Sequence, residues 1–136
     1  LLSNVRVIER DIESFTERFD IGLSLHACGN ATDVMLESCI NNRAVFIACP
    51  CCIGKILLTR SSPLSTVYNQ LLTEATFKSL VKAADFGHSD LSHYNSIQQI
   101  RRVCKCYIED DRCEYARERG YQTHMLLMKP TSGLIL

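Results

Sequence analysis

The chain has 136 residues, a length that fits one small domain with a buried core. Its 15 basic and 15 acidic residues cancel, which removes any global electrostatic pull toward nucleic acid or an anionic membrane. No apolar run reaches membrane-spanning length and no signal peptide opens the chain, so no membrane partner is expected, while its eight cysteines, read as reduced thiols, suit a cytoplasmic or nuclear setting.

Residues 5–8, VRVI, are short and β-branched and predict a strand, with Asp11 just past its tip. Residues 12–19 predict a short helix or turn carrying Phe15 and Phe19. Residues 21–25, IGLSL, predict a second strand whose apolar run suits burial on both faces of a parallel sheet. His26-Ala27-Cys28-Gly29 reads as a turn. Asn30 then has the character of an N-cap, with Asp33 placing negative charge near the positive end of a helix. Ala31, Val34, Met35 and Cys39 give that helix its apolar stripe, and Asn41-Asn42 ends it. Residues 44–48, AVFIA, predict a third strand, stopped by Pro50. Strand, turn, helix and strand at this spacing make a βαβ unit, with 21–25 and 44–48 parallel.

The later part reads as helical. Leu64, Val67, Tyr68, Leu71 and Leu72 mark one helix; Thr73 caps another, with Phe77, Leu80, Val81 and Ala84 inward. Residues 85–96 are polar and loop-like. Ile97, Ile100, Cys104, Tyr107 and Ile108 form a further stripe, which Asp110-Asp111-Arg112 is expected to interrupt before Gly120 stops the helix. Residues 121–128 predict a strand, and 134–136 the start of one more. The whole is expected to be a single α/β domain over 1–136 without an internal boundary.

Eight cysteines stand out, four of them at the expected strand tips: Cys28, Cys49, Cys51 and Cys52. Cys39 and Cys104 sit in apolar helical patterns, where a free thiol behaves as a small hydrophobe, so reduced cysteines fit better than a disulfide framework. In open α/β sheets ligands bind beyond the carboxyl ends of the strands. If 21–25 and 44–48 are neighbours, His26, Cys28, Cys51 and Cys52 converge on one rim. Such a rim serves as pocket lining or plain packing. It also admits a zinc site, with the C-x-x-C of Cys49 and Cys52 completed by His26 and Cys28, or a thioredoxin-type redox pair.

The segments FDIGLSLHACGNATD (19–33) and ACPCCIGK (48–55) resemble class I S-adenosylmethionine-dependent methyltransferase domains. The nearest likeness is to the methyltransferase-like domain of the glutathione S-transferase C-terminal-domain-containing proteins. A more distant one is to tRNA 2′-O-methyltransferases. LLTEATFKSLVKAAD (71–85) and EDDRCEYARERGY (109–121) extend the nearer likeness. The resemblance implies a Rossmann-like sheet, with 5–8 as its third strand, 21–25 as its fourth and 44–48 as its fifth. It implies that the chain holds only the C-terminal part of that sheet, lacking the first two strands and cut inside the last. Such a fragment is expected neither to bind cofactor tightly nor to fold stably alone. Asp11, Ile12, Leu25 and His26 would face S-adenosylmethionine. Cys28, Gly29, Cys51 and Cys52 would form the substrate-side rim, with no metal, and His26 and Asp33 are the candidates for a general base. The methyl acceptor is left open, with RNA or protein conceivable. The alternatives are a non-catalytic methyltransferase-fold binding module and a zinc-stabilised cysteine-rich domain.

Overall fold

The computed structural model describes residues 3–85 and 96–126. Strand β1 (Ile21–Leu25) runs parallel to β2 (Val45–Cys49), with Ile21 opposite Val45 and Leu25 opposite Cys49. Helix α1 (Ala31–Asn42) connects them. The fold is mixed α/β with a small two-stranded parallel sheet among the described residues.

One face of the sheet packs on α1, where Met35, Cys39 and Ala44 form a small core with Phe19 and Phe46. Gly22 permits that approach, because a Cβ there would lie 2.2 Å from the Cys39 sulfur. Burial on both faces is not what forms. Ile21, Leu23, Leu25, Val45 and Ile47 alternate outward and stay at least 61% exposed, since no described element covers that side. Residues 5–8 pair with no strand either, and Val7 is 89% exposed. β-branched side chains favour strands by fitting a half-buried pleated surface, and no neighbouring strand among the described residues supplies one.

Asn30 does not cap α1 through its side chain; its own backbone is helical (φ −77°, ψ −12°). The first turn is held instead by Thr32 Oγ1, which donates to the Ala27 carbonyl at 2.6 Å, and by the Ala31 amide on the Cys28 carbonyl at 3.1 Å. At the other end Arg43 turns left-handed (φ 56°) and its amide caps the Ile40 carbonyl, an ordinary helix stop.

The larger core lies in the second half. After a 3₁₀ turn over Gly54–Leu58 come α2 (Thr66–Leu71), α3 (Glu74–Ala84) and α4 (Ser96–Arg117). Ser65 and Thr73 cap α2 and α3, accepting from the Tyr68 and Thr76 amides at 3.2 Å each. Ile53, Ile56, Phe77, Val81, Ala84 and Ile108 are fully buried together.

The expected interruption at Asp110-Asp111-Arg112 does not occur, and α4 runs through it. Asp111 and Arg112 point inward to waiting partners. Asp111 accepts from the Leu64 and Ser65 amides, both at 2.9 Å, and from Ser65 Oγ at 2.8 Å. Ile97 and Ile100 of the same stripe, by contrast, are 60% exposed. Residues 121–126 form no strand; Tyr121 donates its hydroxyl to the Cys39 and Ala44 carbonyls, stitching the chain onto the sheet. The rest of that expected strand, residues 134–136, and most of the 85–96 loop lie outside the described residues. No described helix is long and apolar enough to cross a membrane.

Candidate functional site

The carboxyl ends of β1 and β2 run into two turns that are laced to each other. The His26 amide donates to the Cys49 carbonyl at 3.1 Å, continuing the ladder past β1, and the Gly29 amide donates to the Cys52 carbonyl at 3.2 Å. Two long cations brace the turns from α4. Lys105 Nζ reaches the Cys51 carbonyl at 2.7 Å and the Pro50 carbonyl at 3.3 Å. Arg112 gives one guanidinium N–H to the Gly29 carbonyl at 2.8 Å.

Gly29 is demanded by this geometry. Its φ is +59°, and a Cβ would sit 2.6 Å from Lys55 Cβ and 3.1 Å from the Lys55 carbonyl carbon. His26 also lies in the left-handed region (φ 57°), with an exposed side chain. Arg43 adopts that conformation to end a helix, whereas His26 adopts it at a strand tip, where such strained residues concentrate at working sites.

Within the rim three thiols converge. Cys28 Sγ lies 3.1 Å from Cys51 Sγ, Cys51 Sγ lies 3.8 Å from Cys52 Sγ, and all three sulfurs fall within 4.8 Å of one another. Each residue is half-buried and all are free thiols. Their protons are unequally held. Hydrogen bonds from Cys52 and Cys51 lower the Cys28 thiol below its ordinary value, with Lys55 adding a favourable charge. Cys52 is pushed up to about 12, first by its bond to Cys28 and then by burial.

Of the expected rim, Cys28, Gly29, Cys51 and Cys52 come together. His26 joins them through its backbone, its carbonyl accepting from Cys28 Sγ at 3.4 Å. Cys49 stays outside the thiol group, so the C-x-x-C knuckle of Cys49 and Cys52 is not the arrangement that forms. Asp33 lies beneath the rim with both oxygens engaged. Arg60 Nε binds one at 3.0 Å and Arg112 Nε the other at 2.7 Å, in a setting where the carboxylate is only 11% exposed. It anchors charge between two guanidiniums. Asp11 and Ile12 sit at a 3₁₀ turn (Ile12–Ser14) and line an open depression of about 440 Å³ with Arg6, Ile8, Arg10 and Phe15. Leu25 and His26, at the tip of β1, do not line it.

No local pattern marks Lys105 or Arg112 as braces of this rim. Both sit on α4, more than fifty residues from the turns they hold, and only the packing of α4 brings them there. Lys55 was in view as the last residue of ACPCCIGK, but nothing there ties it to Cys28.

Residues 3–58 match the family model of the methyltransferase domain. That segment contains β1, α1, β2 and the whole thiol rim. Over 96% of its length the chain is also similar to the glutathione S-transferase C-terminal domain-containing proteins of Homo sapiens, 38% identical, and Bos taurus, 36% identical. The homologous protein of Drosophila melanogaster is 33% identical over 95% of the chain. The resemblance carried by the two sequence segments therefore holds. The chain spans about a fifth of the length of these curated relatives, 21% for the mammalian proteins and 23% for the fly protein. No solved structure matches the chain significantly.

Proposed function

We propose that this chain supplies part of an S-adenosylmethionine-dependent methyl-transfer site, with β1 and β2 acting as the fourth and fifth strands of a larger sheet. The observation that carries this reading is the rim itself. Two parallel strands end side by side, and their turns are hydrogen-bonded into one surface, inside the segment that matches the methyltransferase family. Ligands of open α/β sheets are received at that end.

The residues present suit one end of the cofactor. The Asp11 carboxylate is exposed and unpartnered among the described residues, beside the apolar Ile8, Ile12 and Phe15. Such a pairing takes an exocyclic amino group on the carboxylate and a ring face on the apolar side chains, as adenine would present. Leu25 and His26 would stand by the cofactor tail, and Cys28, Gly29, Cys51 and Cys52 on the acceptor side. When bound, the cofactor supplies an electrophilic methyl carbon. The chain's own contribution is orientation, the largest resource of a site that holds two reactants in line, and a general base. His26 fits that second role, with an exposed imidazole at a strained strand tip; Asp33, held by two arginines, does not present a free oxygen. The acceptor would be a nucleophile on RNA or protein.

Transfer of a labelled methyl group by the full-length protein tests the reading. His26→Ala should lower turnover by about two to four powers of ten while leaving cofactor affinity in place. Cofactor binding without transfer to any acceptor would favour the non-catalytic module, and the absence of both would sink the proposal.

A further inference from the structure

We propose that Cys28, Cys51 and Cys52 form a three-thiolate site for a zinc ion, with its fourth position open to solvent or an exogenous ligand. This site shares its thiols with the acceptor-side rim of the proposed methyl-transfer site, but its zinc binding can be read without any methyl transfer. It rests on four observations.

Three sulfurs from two separate turns lie within 4.8 Å of one another, and no other described group of histidine, cysteine or carboxylate side chains does so. Zinc–sulfur bonds of about 2.3 Å in tetrahedral geometry place sulfurs about 3.8 Å apart. Cys51 and Cys52 already stand at 3.8 Å. Cys28 and Cys51, at 3.1 Å, would open by about 0.7 Å, a small side-chain rotation on fixed backbone.

The backbone is fixed. The Gly29 amide holds the Cys52 carbonyl, the His26 amide holds the Cys49 carbonyl, and Lys105 holds the carbonyls of Pro50 and Cys51. A site assembled before the ion arrives loses little ordering entropy on binding. Finally, a zinc ion with three thiolates carries one net negative charge. Lys105, on the Cys51 carbonyl, and Lys55, acting on Cys28 by charge, are the cations that would offset it. Such outer groups orient ligands and tune affinity. On binding, each coordinating thiol gives its proton to solvent and the sulfur lone pair forms the metal bond, so no oxidant or reductant is required.

The test uses the full-length protein, stripped with a chelator under reducing conditions and titrated with zinc against a competing indicator. Zinc should bind in equimolar amount and protect Cys28, Cys51 and Cys52 from alkylation, read peptide by peptide, while the exposed Cys106 stays reactive. Cobalt in place of zinc should give thiolate-to-metal charge-transfer absorption. Cys51→Ser and Cys52→Ser should each weaken binding at least tenfold, and Lys105→Ala by about tenfold to a hundredfold, with Cys106→Ser unchanged. Because a serine variant could misfold, the protection experiment on the unaltered protein stands alone. Equal alkylation of the three thiols with and without zinc would overturn the proposal, as would full zinc binding by a Cys28, Cys51 and Cys52 triple variant. Recovery of a Cys28–Cys51 disulfide from protein prepared without oxidant would overturn it too.

Discussion

The two halves of this chain solve burial differently. The helical half closes its own core: Phe77, Val81, Ile53, Ile56 and Ile108 are all 0% exposed. The strand half buries one face of its sheet on α1 and leaves Leu23 and Leu25 about as open as loop residues, at 70% and 69%. The difference teaches where the stability of the described fold resides. A helix needs to hide one stripe, and two neighbours suffice to cover it. A parallel strand needs cover on both faces, and two strands with one helix leave half of the requirement unmet. The thiol rim nonetheless sits on the strand half. It stays in place because α4, anchored in the helical core through Ile108, reaches across with Lys105 and Arg112.

That comparison can be broken most directly at its strongest points. Phe77→Ala should cost about 3–5 kcal/mol in denaturant unfolding, as full truncation of a core aromatic does. Arg112→Ala should cost a similar amount, about 3–5 kcal/mol, because it removes a buried guanidinium and leaves the largely covered Asp33 and Glu109 carboxylates short of that partner. If the halves are coupled as described, Arg112→Ala should also speed alkylation of the rim thiols, while Phe77→Ala, at equal denaturant-corrected stability, should do so less. An Arg112→Ala protein as stable as the parent would show that α4 does not carry the rim.

Gly29→Ala should rank next, at about 1–3 kcal/mol for a side chain forced into left-handed backbone, with a further contribution from the contact with Lys55. Gly120→Ala, also at positive φ but with nothing within 4 Å of a Cβ, should cost less. Equal losses at the two glycines would remove the close approach from the explanation.

A smaller effect should follow pH. Burial, and then its bond to Asp110, raises the Tyr68 phenol above its ordinary value of 10.0, and burial raises the Cys39 and Cys113 thiols above 9.0. A raised acid keeps its proton in the folded state while the unfolded chain loses it. The stability from these groups is therefore intact below pH 9 and declines as pH rises through 9 and then 10. Thermal unfolding measured from neutral to strongly alkaline pH should show this fall, and Tyr68→Phe should shallow its upper part. A flat profile above pH 10 would contradict the burial assigned to Tyr68.

The smallest change is expected on the open face. Leu23→Ser in this chain should shift stability within about 0.5 kcal/mol, as substitutions at exposed positions usually do. A loss of several kcal/mol would mean that this face is covered, and the contrast between the halves would have to be redrawn.

Much of this was legible in the sequence, and the reason differs by element. Local signals placed β1, α1, β2 and the Thr73 cap, because strand runs, apolar stripes and capping residues act over a few neighbours. The convergence of Cys28 with Cys51 and Cys52 followed from expecting those two strands to be parallel and adjacent. Sequence alone could not decide whether VRVI at 5–8 finds a strand to pair with, or whether Asp111 and Arg112 break a helix or turn inward. Those outcomes depend on partners far along the chain: Ser65 for Asp111, Asp33 and Gly29 for Arg112, Pro50 and Cys51 for Lys105. The sequence by itself thus determined the elements and the chemical types at the rim. The tertiary structure decided that Cys49 stays out of the thiol group, which charges are buried, and which face of the sheet stays open, because each of these is set by packing between segments and carries no local pattern.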